Sequence, residues 1–102
     1  MRTLNFNIEN QKLKKDGDFS GIIRGSKQYL RCFFSFDGDT WNGLRKIAVF
    51  ENLNGEHAVD LSRNNSCMVP NEVTDGSFFR VKMVGISKNT EIFTNKELVC
   101  QE

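Results

Sequence analysis

The sequence predicts an all-β protein, an antiparallel β-sandwich of the immunoglobulin-like or jelly-roll-like kind with about seven or eight short strands. Three observations predict this class. Apolar and polar residues alternate with a period of two along most of the chain. Turn residues (Gly, Asn and Asp) recur at intervals of about eight to twelve residues. No window longer than one or two helical turns has the periodicity of a helix.

We expect one domain over residues 1–102. A chain of 102 residues lies near the commonest domain size, and no linker rich in Gly, Ser or Pro divides it.

The first half of the chain predicts a strand followed by a hairpin. Leu4, Phe6 and Ile8 alternate with polar residues, which is typical of a half-buried strand. Residues 19–24 and 28–36 predict the two arms of the hairpin around the turn Gly-Ser-Lys. One face of the second arm is apolar and consists of Leu30, Cys32, Phe34 and Phe36. The other face consists of Tyr29, Arg31, Phe33 and Ser35.

The second half predicts five further strands: residues 45–52, 56–62, 66–69, 77–86 and 91–100. Pro70 ends the third of these, because proline has no N–H to donate to a neighbouring strand. In the fourth, Phe79, Val81 and Met83 share the face that we expect to be buried.

The charge balance argues against a nucleic-acid or membrane partner. The chain has 14 basic and 13 acidic residues and a formal net charge of +1. Proteins that bind nucleic acid or anionic membranes usually carry a marked basic excess. No apolar run is long enough to span a membrane, and the first ten residues lack the apolar segment of a signal peptide. We therefore expect a soluble protein.

The cysteines predict buried, reduced thiols and no metal site. Cys32, Cys67 and Cys100 have no Cys-x-x-Cys spacing, and the chain has one histidine, so zinc is not expected. The order Cys32, Trp41, Cys100 is the order in which cysteine, tryptophan and cysteine occur in an immunoglobulin domain. However, Leu98 stands where the tyrosine corner would be, and the disulfide is not expected.

Two Asp-Gly-Asp stretches, at 16–18 and 37–39, resemble parts of calcium loops. Neither is followed by the further oxygen ligands that calcium requires. Asp-Gly is also a common turn sequence, because both residues tolerate a positive φ. We interpret both stretches as turns.

Trp41 has two interpretations. Its ring could stack on a sugar or a base, or it could close the core at the end of a strand. Phenylalanine, which has no polar group, makes up nine of the aromatic residues, and this bias favours the core.

We do not expect an enzyme. No nucleophile, metalloprotease, phosphate-loop or dinucleotide motif occurs, and the lone His57 stands beside Glu56 without a catalytic partner in sequence. No catalytic, cofactor-binding or metal-binding residue is predicted. A pair of carboxylates from distant strands is the one enzymatic alternative left open.

Four stretches together resemble small tail or baseplate proteins of bacteriophages and prophages, above all the N-terminal domain of baseplate upper proteins. They are residues 25–30, 34–50, 64–86 and 90–99, so the resemblance covers roughly residues 20 to 100. The matching features are Trp41, Gly43, the strand Lys46 to Phe50, Pro70, Val73, Gly85 and the pair Thr94-Asn95.

The resemblance implies a non-enzymatic structural or attachment protein of the virion tail, without a cofactor. Its partners would be other tail or baseplate proteins and further copies of itself, and it would occupy the bacterial cytoplasm before assembly. Exposed apolar residues are then the expected contacts, namely Tyr29, Phe33 and Phe78. The alternative is a carbohydrate- or host-surface-binding module that uses Trp41 and Tyr29.

Overall fold

The computed structural model describes all 102 residues and contains nine β-strands in two sheets. The strands are β1 (Arg2–Glu9), β2 (Lys12–Asp16), β3 (Leu30–Asp37), β4 (Arg45–Asn52), β5 (Gly55–Asp60), β6 (Ser66–Met68), β7 (Phe78–Ile86), β8 (Glu91–Phe93) and β9 (Glu97–Cys100). The four-stranded sheet has the order β2-β1-β3-β6. The five-stranded sheet has the order β5-β4-β7-β8, with β9 also paired to β7. The structure confirms the predicted all-β sandwich.

The inward side chains of both sheets form one hydrophobic core. The rings of Phe6 and Phe34 stack in the four-stranded sheet with centroids 5.1 Å apart. Phe50 and Phe79 meet edge to face in the five-stranded sheet at 5.9 Å. Burial of each of these rings contributes about 1.5–3 kcal/mol. The faces predicted to be buried in β1 and β7 are confirmed, and so is that of β3 except Phe36, which is half-buried.

The predicted hairpin of residues 19–36 is wrong. Its second arm is β3, but β3 pairs with β1 in parallel and with β6, not with residues 19–24. Residues 17–29 form no strand and connect β2 to β3, which lie on opposite sides of β1 in the sheet and are therefore too far apart for a tight turn. Within them, Gly17, Gly21, Gly25 and Gln28 all have positive φ, a conformation that interrupts an extended chain.

The connection is instead held by the core and by the C-terminus. Phe19 contacts Phe6 edge to face at 5.2 Å, and Ile22 is buried. Arg24 N–H donates to the carbonyl of Glu102 at 2.9 Å, and Glu102 N–H donates to that of Ile22 at 2.7 Å. Of the apolar residues that predicted a strand, Ile22 is thus buried and Phe19 half-buried without a strand partner, and Ile23 is exposed.

Strand β2 was not predicted, because Leu13 is its only apolar residue among lysines and an aspartate. It forms a hairpin with β1 and lies at the edge of the four-stranded sheet. The one predicted strand over residues 91–100 is two strands, β8 and β9, which pair with successive halves of β7.

The interruption between β8 and β9 joins the two sheets. Thr94 Oγ1 accepts a hydrogen bond from Met83 N–H at 2.9 Å, so its side chain takes part in the ladder of β7. Asn95 then reaches the other sheet: its Oδ1 accepts from Leu13 N–H at 2.7 Å, and its Nδ2 donates to Leu13 O at 3.1 Å. One side chain therefore satisfies both backbone groups of a residue on the edge strand β2.

The cysteines are free, and two of them are buried as predicted. Cys32 and Cys67 are directly opposite each other in β3 and β6. Cys100 is exposed on β9, so the prediction of three buried thiols is wrong for this residue. Burial raises the pKa of Cys67 to about 12. Burial, and secondarily the neighbouring Cys67, raise the pKa of Cys32 well above its ordinary value.

These thiols predict a loss of stability at alkaline pH. The folded state keeps both thiols protonated, whereas the unfolded chain ionises them near about pH 8.5, so unfolding releases protons above that pH. The free energy of unfolding should fall by up to about 1.4 kcal/mol per pH unit for each thiol between about pH 9 and 12. Denaturant titrations of the wild type and of the Cys32→Ala/Cys67→Ala variant measure this slope. Equal slopes in the two proteins would contradict the prediction.

Candidate interaction face

Trp41 lies inside the protein. It belongs to residues 38–44, which cross from β3 in one sheet to β4 in the other, and its side chain is 1% exposed. Its indole N–H donates to the carbonyl of Asn10 at 2.6 Å, and its ring lies 5.6 Å from that of Phe36. The interpretation as a core residue is confirmed. The prediction that Trp41 could contact a sugar or a partner is therefore corrected, because its ring is not accessible.

Gly85 provides the space for this ring. A Cβ on Gly85 would lie 2.6 Å from Cζ3 and 2.8 Å from Cε3 of Trp41. Gly85 marks neither a bend nor a bulge, because β7 pairs in regular register with Lys46 on one side and Ile92 on the other. The absence of a side chain is what the packing of Trp41 requires.

The other features singled out in the sequence have structural roles. Gly17 and Gly38 have φ of +91° and +77°, as the turn interpretation of the Asp-Gly-Asp stretches requires. Asp18 accepts hydrogen bonds from the Ser20 hydroxyl and N–H, and these two bonds lower the pKa of its carboxyl. Val73 is fully buried after the turn at Pro70.

The three remaining predicted contact residues do not form one surface. Tyr29 (48% exposed) immediately precedes β3, and Phe33 (39% exposed) lies on the outer face of β3. Phe33 has polar neighbours, Asn5 on β1 and Ser66 on β6. Phe78 is half-buried on β7, in the other sheet, and Arg80 lies over its ring at 5.1 Å.

A larger apolar surface lies on the outside of the five-stranded sheet. Side chains alternate between the two faces of a strand. Ala48 and Phe50 of β4, like Val81 and Met83 of β7, point into the core. Their neighbours therefore point outward, and the apolar ones are Ile47, Val49, Val84, Ile86 and, on β8, Phe93. We call this set of five residues the outer face.

The strand register makes the outer face continuous. Ile47 is opposite Val84, and Val84 is opposite Phe93, so three apolar side chains form a row across three strands. Val84 is only 7% exposed although it is absent from the core cluster. Its neighbours on the outer face therefore cover it. Phe93 remains 45% exposed.

Charged residues lie beside the apolar residues of the outer face and are paired with one another or with an aromatic ring. Lys82 Nζ lies 5.3 Å from the centroid of the Phe93 ring. Glu51 is opposite Arg80 across β4 and β7 and is bonded to Lys96 at 3.0 Å. The Lys96 hydrogen bond is the main reason why the pKa of Glu51 lies below its ordinary value, and the positive charges of Lys96, Arg80 and Lys82 also lower it.

The surface has two clefts. The larger, about 440 Å³, is lined by residues 44–46, 60–63 and Asn65, and Arg45 and Asp60 form an ion pair within it at 2.8 Å. The smaller, about 160 Å³, includes Leu53 and Phe78 at one end of the five-stranded sheet. No group of three or more His, Cys, Asp or Glu side chains is arranged to hold a metal ion. No helix is long and apolar enough to cross a membrane.

Comparison of the chain with protein-family models, with curated proteins and with solved structures finds no match.

The outer face was missed in the sequence because its strands were interpreted from their buried sides. A signal was present: residues 47–50 are apolar without alternation, which is typical of a strand with both faces covered. Phe78 and Val84 lie with Arg80 and Lys82 on the side of β7 opposite the face that was predicted to be buried. Only the register shows that Val84 meets Ile47 and Phe93.

Proposed function

We propose that this chain is a non-enzymatic structural or attachment protein of a bacteriophage or prophage tail and acts through protein–protein contacts. The outer face is the observation that supports it best. An antiparallel sheet with one solvent-facing side usually has polar residues there. Here the two central strands carry Ile47, Val49, Val84 and Ile86 outward instead, and larger exposed apolar patches mark interaction sites.

The resemblance of residues 20–100 to the N-terminal domain of baseplate upper proteins supports the viral context. On this proposal the partners are other tail or baseplate proteins and further copies of the chain, and the protein resides in the virion tail. The alternative, a carbohydrate- or host-surface-binding module, loses Trp41 as its stacking surface and would depend on Tyr29 alone.

The proposal predicts that the protein co-purifies with tail particles. Particles released from the source cells after prophage induction should contain its peptides at a fixed ratio to other tail proteins through density-gradient and size fractionation. Uninduced cells provide the control. Recovery only in the fraction of free cellular protein, with intact tails that lack these peptides, would contradict the proposal.

A further inference from the structure

We propose that the outer face is a self-association surface, on which a second copy of this chain docks about a two-fold axis parallel to β4 and β7. The inference rests on the proposed assembly function and names the partner of this face. It follows from the strand register, from the distribution of charge and from the area available.

The register makes the face complementary to itself. The two-fold axis runs between the two packed sheets, above the midline between β4 and β7, and it places the partner's β7 over β4. Each β4 residue then lies over the partner's copy of the β7 residue that is opposite it in the sheet. Ile47, which is opposite Val84, would lie over the partner's Val84 and contact the outer-face side chains that cover that residue. Packed sheets keep their strands within about 30° of each other, so these contacts hold best near the middle of the strands.

The charges agree with this arrangement. Glu51 lies on β4 and Arg80 is opposite it on β7, whereas Lys82 and Arg45 would lie over the partner's Val49 and Ile86. Because the rotation exchanges the two sides, Glu51 would lie over the partner's Arg80, and the same pair would recur at the symmetry-related position. Opposite charges across an interface favour the correct partner and fix the register.

The area is sufficient for a weak, specific contact. Four strands at a spacing of about 4.8 Å and eight residues at about 3.3 Å span roughly 500 Å² on each copy. The total of about 1,000 Å² is near the lower limit of specific interfaces, so we expect a dimer with a Kd in about the micromolar range. Leu53, which is 90% exposed, would add a contact beside the partner's Phe78 in the smaller cleft.

The free edge of β5 is the competing route for self-association. Leu61 N–H donates to Lys46 O, so the alternation of the ladder turns the N–H and C=O of Glu56, Ala58 and Asp60 away from β4. Antiparallel pairing of two β5 edges centred on Ala58 would place Glu56 opposite the partner's Asp60. Like charges directly opposite each other are unfavourable, which favours the outer face over the edge.

Sedimentation equilibrium of charge-reversed variants tests the proposal. Glu51→Arg and Arg80→Glu should each weaken self-association by about 100-fold or more, because each places two like-charge pairs in the interface. An equimolar mixture of the two variants should associate about as tightly as the wild type, because every pair is then of opposite charge. A variant that weakens association only by disturbing its own fold would not be rescued by mixing, because the other variant cannot repair that fold. Leu53→Asp, a change at an exposed turn, should also weaken the dimer.

One control and the decisive outcomes complete the test. Lys14→Glu reverses a charge on the outside of the other sheet and should leave the dimer unchanged. Association through the β5 edge would be left intact by Arg80→Glu, because Arg80 lies on β7, away from that edge. A wild type that is monomeric at all concentrations, a mixture that fails to associate, or an Arg80→Glu variant that associates as tightly as the wild type would overturn the inference. A monomeric protein that is still recovered in tail particles would overturn only this inference, whereas a dimer absent from particles would overturn only the proposed function.

Discussion

Replacement of Trp41 by alanine is expected to lower the free energy of unfolding by about 3–5 kcal/mol, the cost of removing a large buried aromatic side chain. The indole is 1% exposed and packs between Phe36 and Gly85, and its N–H is bonded to Asn10 O. The change leaves a cavity and an unpaired carbonyl at the end of the sandwich. Denaturant unfolding followed by circular dichroism measures the loss. The matched control is Tyr29→Ala, an exposed aromatic residue, for which we expect less than about 1 kcal/mol.

Gly85→Ala tests the contact between Trp41 and Gly85 from the side of β7. The added Cβ would lie 2.6–2.9 Å from Trp41 and Leu44 atoms, so either the ring or β7 must shift, at a cost of about 1–3 kcal/mol or more. The phenylalanine ring of a Trp41→Phe variant is smaller than the indole. We therefore expect Gly85→Ala to lower the free energy of unfolding by less in that variant than in the wild type. Equal costs in both backgrounds would show that the two residues do not interact as the structure describes.

Asn95→Asp is expected to lower the free energy of unfolding by about 2–4 kcal/mol, since the partly buried carbonyl of Leu13 loses its donor and faces a carboxylate oxygen instead. The carboxylate can still accept from Leu13 N–H, but it cannot donate to Leu13 O and repels it instead. Asn95→Ala should have an effect of similar size because both groups then lose their partner.

Amide hydrogen exchange distinguishes this mechanism from a general loss of stability. In Asn95→Ala the Leu13 amide should lose more protection than the amides of the central strands β4 and β7. Asn89→Asp introduces the same charge at an exposed turn between β7 and β8 and serves as the control, with an expected effect within about 0.5 kcal/mol. Unchanged protection of Leu13 in Asn95→Ala would contradict the assigned role.

Local alternation predicted most strands, because a half-buried strand places every second side chain in the core. This held for β1, β7 and most of β3, where the buried residues are those with the expected spacing. It failed for residues 19–24, which lie in a connection with positive φ, where Ile22 is buried without being part of a strand. It also missed β2, where pairing with β1 rather than composition makes the strand.

The candidate site was harder to predict because an interaction face is defined by neighbours from different strands. Tyr29 and Phe78 were correctly expected at or near the surface, but they lie on different sheets. The outer face depends on the register of β4, β7 and β8, and a shift of one residue would turn Ile47 and Val84 into the core.

The sequence by itself determined the all-β class and most strand positions, and it favoured the burial of Trp41. These follow from the period of two and from the polarity of single residues, which act locally. Only the tertiary structure decided that β1 and β3 are parallel, that Asn95 joins the sheets, and that Gly85 makes room for Trp41. The physical reason is that pairing, closure and packing are contacts between residues far apart in the chain, and local alternation carries no information about which partners meet.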